Sequence, residues 1–506
     1  MTTTLTRGAA SLRSAGALDG SIVAARTGGL IGLRVGEAAW EVLAWTPAGD
    51  RLPAGLSGAV AESSEGLLLV GPADGSNAAA LRALVPWLSP QRLGRGPSVG
   101  LGDRLGLATP GHVAALRANP GIMPVLAQQS ARELARTGSS FADVLDATTF
   151  GALAAGWTAG FGADADHLRT SVDIDRAVAA GFSMITVDPI DVVPDIPADA
   201  TPQAIEAAFG QVPWDGLEDD PGAFAGRYPA ALDLGTSTLG LPRAALRAAA
   251  ARFGPAVVRV VTMHRHLVGR LGGRDVDLEV AVDEIGHPTT HVDHVYLATE
   301  LRRLGVGWET FAPRFVGRFE KGVDYIGDPD ALLADITTHA AVAGVLGPYR
   351  LSIHSGSDKF SIYELAARAT AGAVHVKTSG TSYLAALGIL AVREPGLFRE
   401  VWRIALDVYE QHRASYHVSA TADRVHRPDA IPDADLPGLL VNRDSREILH
   451  VTYGAILGRS TGDDLPERFR RAIWSGRDTY WAELGDHIGR HLRPFVAADI
   501  VGMKTD

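Results

Sequence analysis

From Ser98 onward one pattern repeats along the chain: a short apolar run, a polar end, then a helical stretch. The apolar runs are SVGLGDR (98–104), MPVLAQQ (123–129), GWTAGFGADADH (156–167), FSMITVDP (182–189), DLEVAVDE (277–284), WETFAPRF (308–315), RLSIHSGS (350–357) and AVHVKTSG (373–380). Helical patterns at 112–117, 131–136 and 294–304 fall between them. Eight such units predict an α/β fold, a closed (β/α)8 TIM-like barrel whose strands all present their carboxyl ends to one pocket. A doubly wound open sheet is the alternative.

The flanks read differently. Residues 1–95 predict a small N-terminal β-containing subdomain, with strands at 30–35, 40–45 and 66–70, beyond a frayed start. The catalytic barrel is expected over 96–395, with an insertion at about 190–275 that ends in a helical pair around 243–270. A helical C-terminal extension follows over 396–506. There RDSREILHVTYG (443–454) puts Arg446, His450 and Tyr453 on one helix face, either folding back over the barrel mouth or forming a surface stripe.

Composition removes several classes of function. A net charge of −11 argues against an electrostatic grip on nucleic acid or anionic membrane. No apolar run approaches the roughly 18 residues of a membrane span. With no cysteine, a thiolate nucleophile and a thiolate metal site are both excluded. A cytoplasmic protein acting on a small molecule is expected, and a homo-oligomer is compatible with the sequence. Almost every cation is arginine; lysine stands only at Lys321, Lys359, Lys377 and Lys504. A lysine where arginine is the habit suggests a need for its compact ammonium.

The strand ends carry the chemistry. In order they are Asp103-Arg104, Gln128-Gln129, Asp166-His167, Asp188, Asp283-Glu284, Arg314, His354 and Lys377. Imidazoles from the third and seventh strands, His167 and His354, can converge on one divalent cation from across the mouth. Strand alternation turns Asp166 away from its neighbour and frees it as a base. A third, oxygen ligand is expected from Glu320 or Glu279.

Two stretches imitate sites. HPTTHVDH (287–294) resembles a metal cluster, but Pro288 and Asp293 suit a turn capping a helix, and its spacing fits no zinc pattern. GDRLGLATPG (102–111) lacks both GxGxxG and the P-loop Gly-Lys-Ser/Thr, so no NAD or ATP is expected.

GLGDRLGLATPGH (100–112), AQQSARELART (127–137), GADADHLRT (162–170), EVAVDEIGHPTTH (279–291), APRFVGRFEKGVDYIGD (312–328), LSIHSGSDKFSIY (351–363), HVKTSGTSY (375–383) and RDSREILHVTYG resemble the tagaturonate epimerase family. The resemblance implies a metal-dependent enzyme of hexuronate breakdown that interconverts D-tagaturonate and D-fructuronate by inversion at C4. Ile285-Gly286-His287 replaces expected polar residues, and Glu320 an expected glutamine. Activity on fructose and tagatose is left open.

In a 2-keto sugar acid the hydrogen on C4 is β to the carbonyl and not acidic. Retro-aldol cleavage of C3–C4, rotation of the aldehyde and re-addition can invert that carbon, given a Lewis-acidic divalent cation (Zn, Mn, Ni or Fe). The assignment is Asp166 as proton acceptor, Glu279 as proton donor, and His167, Glu320 and His354 on the metal. Arg104, Gln129, Arg314, Ser357 and Lys359 are candidates for holding the substrate, and Lys377 for neutralising developing charge. A class II aldolase-type lyase and a non-catalytic sugar-acid binder are the alternatives.

Overall fold

The computed structural model describes residues 2–497 apart from 198, 415, 417 and 460–463; Lys504 lies outside them. Its centre is a closed, all-parallel barrel of eight strands. In order these are Ser98–Leu101, Met123–Ser130, Gly162–Leu168, Met184–Val187, Asp277–Ala281, Thr310–Ala312, Arg350–Ile353 and Val374–Thr378. The ring closes where the eighth strand pairs with the first, Lys377 opposite Gly100. Closure removes the open-sheet alternative. All eight proposed apolar runs overlap a barrel strand, because a strand covered on both faces is largely apolar on its outer face.

Local chemistry sets the helices between the strands. Ser130 with Glu133, Ser140 with Asp143, and Thr290 with Asp293 form capping boxes that satisfy the first free N–H groups of their helices. Asp103 spends its carboxylate on the backbone N–H groups of Leu105, Gly106 and Ala108, so the glycine-rich stretch there holds its own turn.

Two expectations for the flanks are corrected. The start is not frayed: helix Thr2–Ser14 buries Leu12 against Leu30, Leu43 and Trp45 of the N-terminal sheet. The expected helical pair in the insertion is one 29-residue helix, Arg243–Leu271, running through Pro255. Phe253, Ala256, Val257 and Val260 around the proline are buried, and this packing outweighs the lost backbone hydrogen bond.

The N-terminal antiparallel sheet has five strands. Trp40 from that sheet meets Trp474 edge-on at 4.9 Å and stacks on Trp481 at 5.7 Å, joining it to the C-terminal helices. Among the described residues no helix is long and apolar enough to cross a membrane.

Candidate active site at the barrel mouth

Lys377, on the eighth strand, is 3% exposed and surrounded by acids. Its Nζ lies 2.8 Å from Asp164, 2.6 Å from Asp166 and 2.6 Å from Glu279. The Thr186 hydroxyl accepts from Lys377 at 2.8 Å and donates to Asp164 at 2.9 Å. Three strands thus deliver one buried cation and three carboxylates to one point, and a fourth adds the Thr186 hydroxyl. Burial alone would lower the Lys377 pKa, but the three acids hold it well above the usual lysine value. Burial dominates at Asp164 and pushes it up to about 6 despite Lys377. It would likewise raise Asp166, yet His167 and Lys377 draw that carboxyl well below the usual range. Glu279 is also buried, and is pulled down by Lys377 and His354.

The two imidazoles stand together, ring centres 4.9 Å apart. His354 Nε2 is 2.8 Å from Glu279, which fixes that ring, and its Nδ1 is 3.0 Å from Asp283 Oδ1. His167 Nε2 is 3.5 Å from the same oxygen, and its Nδ1 is 2.9 Å from Asp166. The expectation that Asp166 and His167 point apart is therefore corrected. His167 adopts φ 54°, and the pairing with the fourth strand slips between Ala165 and Leu168. The ring swings back over the mouth instead of outward. Left-handed backbone at a non-glycine residue costs about 1–3 kcal/mol, and Ser355, directly after His354, has φ 51° as well.

The donor set fits a divalent cation. Asp283 Oδ1, both nitrogens of His167 and Nδ1 of His354 are buried and make no hydrogen bond among the described residues, although they crowd together. Polar atoms this close without hydrogen-bond geometry have the arrangement of ligands around a shared ion. Ligand atoms of Asp166, His167 and His354 all lie within 4.8 Å of one another.

Other candidates are placed differently. No such group among the described residues includes Glu320; its Oε2 accepts from Ser419 at 2.8 Å, though it lines the same cavity as Asp283 and His354. Lys359 is fully buried and donates to the backbone carbonyls of Glu320, Val323 and Ser357, so no N–H is left for a substrate. The role sketched for it as a carboxylate grip is corrected; an ammonium holding three carbonyls fixes the loop instead. Ser357 is buried beside it. Gln129 lies on the strand face opposite Gln128, and it is Gln128 that reaches Asp166, at 3.5 Å. Arg104 is bound to Glu133 at 2.6 Å and stacks on Tyr453 at 3.7 Å. Arg314 donates to the Ile285 carbonyl and lines the cavity.

That cavity, of about 480 Å³, is lined by His354 and Asp283 together with Arg132, Arg314, Arg318, Lys321 and Tyr416. Sharing His354, Ser355 and Lys321 with it, a recess of about 40 Å³ reaches Asp166, His167 and Lys377 and is lined by His450. Of the two readings of the 443–454 stripe, folding back over the mouth holds. His450 comes so close to the turn after the eighth strand that a Cβ on Gly380 would lie 1.8 Å from its Nε2; only glycine fits there.

Sequence reasoning missed Asp164, Thr186 and Asp283 as a partner of both histidines, and it singled out Lys321 as a rare lysine without giving it a place; its Nζ donates to Ser355 Oγ at 2.5 Å. Asp164 was findable: it stands two residues before Asp166 and so shares its face. Tyr416 carried no signal, since an irregular segment brings it in.

Comparison with known proteins follows the same lines. The model of the tagaturonate epimerase family matches residues 54–495. A tagaturonate/fructuronate epimerase of Thermotoga maritima is 38% identical over 446 residues, covering 88% of this chain and 90% of that protein. The native crystal structure of the fructuronate-tagaturonate epimerase of Cohnella laeviribosi superposes with a TM-score of 0.88 at 33% identity, covering 96% of this chain and 99% of that one. A glycerol complex of the same Cohnella enzyme gives 0.88 at 32% identity, covering 96% and 98%.

Proposed function

The chain belongs to the tagaturonate epimerase family, an isomerase, and on that premise we propose that it interconverts D-tagaturonate and D-fructuronate by inverting C4. The observation that carries the reading is Lys377 bridging Asp166 and Glu279 beside two imidazoles with unspent nitrogens. A divalent cation would be held by His167, His354 and a carboxylate drawn from Asp283 and Glu320, both on the wall of the same cavity. When bound it supplies Lewis acidity for polarising the substrate carbonyl.

The chain's own groups handle the protons. Asp166, kept ionised, takes the proton of the C4 hydroxyl as the C3–C4 bond breaks and C4 becomes an aldehyde carbon. The electron pair passes to C3 as an enediolate, whose charge the fixed Lys377 ammonium offsets from within the recess. Glu279 exchanges protons with Lys377 and His354, both in contact with it, and donates to the oxygen that becomes negative. The aldehyde then turns and C3 attacks its other face; Glu279 takes its proton back as the carbonyl re-forms, and Asp166 returns its proton to the new C4 oxygen. Lys321 and Arg314, on the outer wall, are placed to meet the substrate carboxylate.

Proton NMR of purified protein with fructuronate tests this. The C4 epimer forms, disappears with EDTA, and returns on adding divalent ions. In D2O the C4 position stays protonated, because its C–H bond is never broken. Deuterium at C4, or epimer formed after complete chelation, would overturn the proposal.

Metal affinity has a predicted pH dependence. Burial would lower His354, but Asp283 and Glu279 outweigh it and raise it to about 9 in the metal-free protein. Below that pH an incoming cation must displace a proton, so affinity weakens as pH falls. Competition with a chelator at pH 6.5 and 8.5 should show about tenfold tighter binding per pH unit for each proton displaced. A flat response would remove His354 from the ligand set.

A further inference from the structure

A second group of ligand atoms converges away from the mouth, between the helices that follow the fifth and sixth barrel strands. His291 opens helix His291–Arg303, while Asp335 and His339 stand one turn apart on helix Pro329–Leu346. His291 Nε2 is 3.0 Å from Asp335 Oδ1, and His339 Nε2 is 3.6 Å from the same oxygen. Ligand atoms of the three residues lie within 4.8 Å of one another. Nitrogen and oxygen ligands bound to one ion at about 2.0–2.2 Å stand roughly 3 to 3.6 Å apart, the spacing found here.

In the metal-free chain His291 Nε2 and Asp335 Oδ1 hydrogen-bond each other, a contact that a shared cation would replace, and His339 supplies the unspent atom. His339 is fully buried, and its Nε2 makes no hydrogen bond among the described residues. The other ring nitrogen, Nδ1, faces His294 Nδ1 at 2.9 Å, and His294 Nε2 faces the Tyr349 hydroxyl at 2.8 Å. In the tautomer with the shared proton on His339 Nδ1, a lone pair on Nε2 points into the group. Asp335 uses its other oxygen to accept the Val316 N–H at 3.0 Å, leaving Oδ1 to the histidines. His291, about one third exposed, leaves solvent a path to the site.

A third cluster, Asp358 with His487 and His491, serves as a contrast. His491 Nε2 accepts the Asp358 N–H, its Nδ1 donates to the His487 carbonyl, and Arg446 pairs with the carboxylate. Its groups are already spent.

We propose that His291, Asp335 and His339 form a second divalent-cation site, of the two-nitrogen, one-oxygen kind that suits zinc, clamping two neighbouring barrel helices. HPTTHVDH supplies one ligand, and the helix of the next barrel unit supplies the other two. Through Asp335 and Val316 the clamp holds the segment leading to Glu320 and Lys321 on the cavity wall.

The full-length protein is loaded with zinc, desalted, and its metal measured by mass spectrometry. Wild type should carry one equivalent more than His291→Ala, whatever the occupancy of the mouth. The double variant His167→Ala/His354→Ala should keep that equivalent, and zinc should raise its Tm. Adding His291→Ala should abolish the rise. Equal zinc in wild type and His291→Ala, or no zinc-dependent rise in Tm of the double variant, would overturn the proposal. The second measurement needs no change at the clamp, so it stands even if His291→Ala misfolds.

Discussion

Lys377→Met should lower kcat by about 10²–10³-fold, the scale of removing one preorganised electrostatic contact to a developing charge. The residue lies within 2.8 Å of three buried carboxylates, and no other ammonium or guanidinium contacts Asp164, Asp166 or Glu279 among the described residues. Removing it also leaves those acids uncompensated. Breaking a buried ion pair costs about 3–5 kcal/mol, softened as Asp164, already near 6, takes up a proton. Lys377→Arg should not rescue activity, because a planar guanidinium cannot contact three acids and a threonine in the space of an ammonium. The measurement is kcat per folded molecule, with the folded fraction taken from circular dichroism. A purely structural lysine would lower Tm and leave kcat per folded site unchanged.

Asp166→Asn should reduce kcat by about 10²–10⁴-fold, the usual contribution of a positioned acid–base group, with KM and bound metal little changed. An amide has nearly the same shape and still meets Gln128 and Lys377, but it cannot take a proton. Metal content separates the roles this side chain could play, since Asp166 lies within ligand reach of both histidines. Metal lost together with activity would make it a ligand and leave the base to be found elsewhere.

Legibility in the sequence followed the range of the interaction. The eight strands could be read because each is a local run of apolar residues with a polar exit. The helix starts could be read because a cap and its N3 partner are three residues apart. His167, His354 and Lys377 were visible as strand ends, and Asp164 was within reach by alternation. The direction of His167 was not, because one residue at φ 54° reverses what alternation predicts. Lys359 misled for another reason: its ligands are three backbone carbonyls, which leave no trace in residue identity.

The amino-acid order alone determined eight strand–helix units and the polar residues at their strand ends, because periodicity and polarity are properties of neighbours in the chain; closure into a barrel was decided by the fold. Only the folded structure decided that one ammonium serves three acids, that Asp283 stands at both imidazoles, and that His450 lines the recess. Those contacts join residues more than 70 positions apart, where distance is set by how the closed ring of strands and its helices pack. No pattern along the chain encodes that.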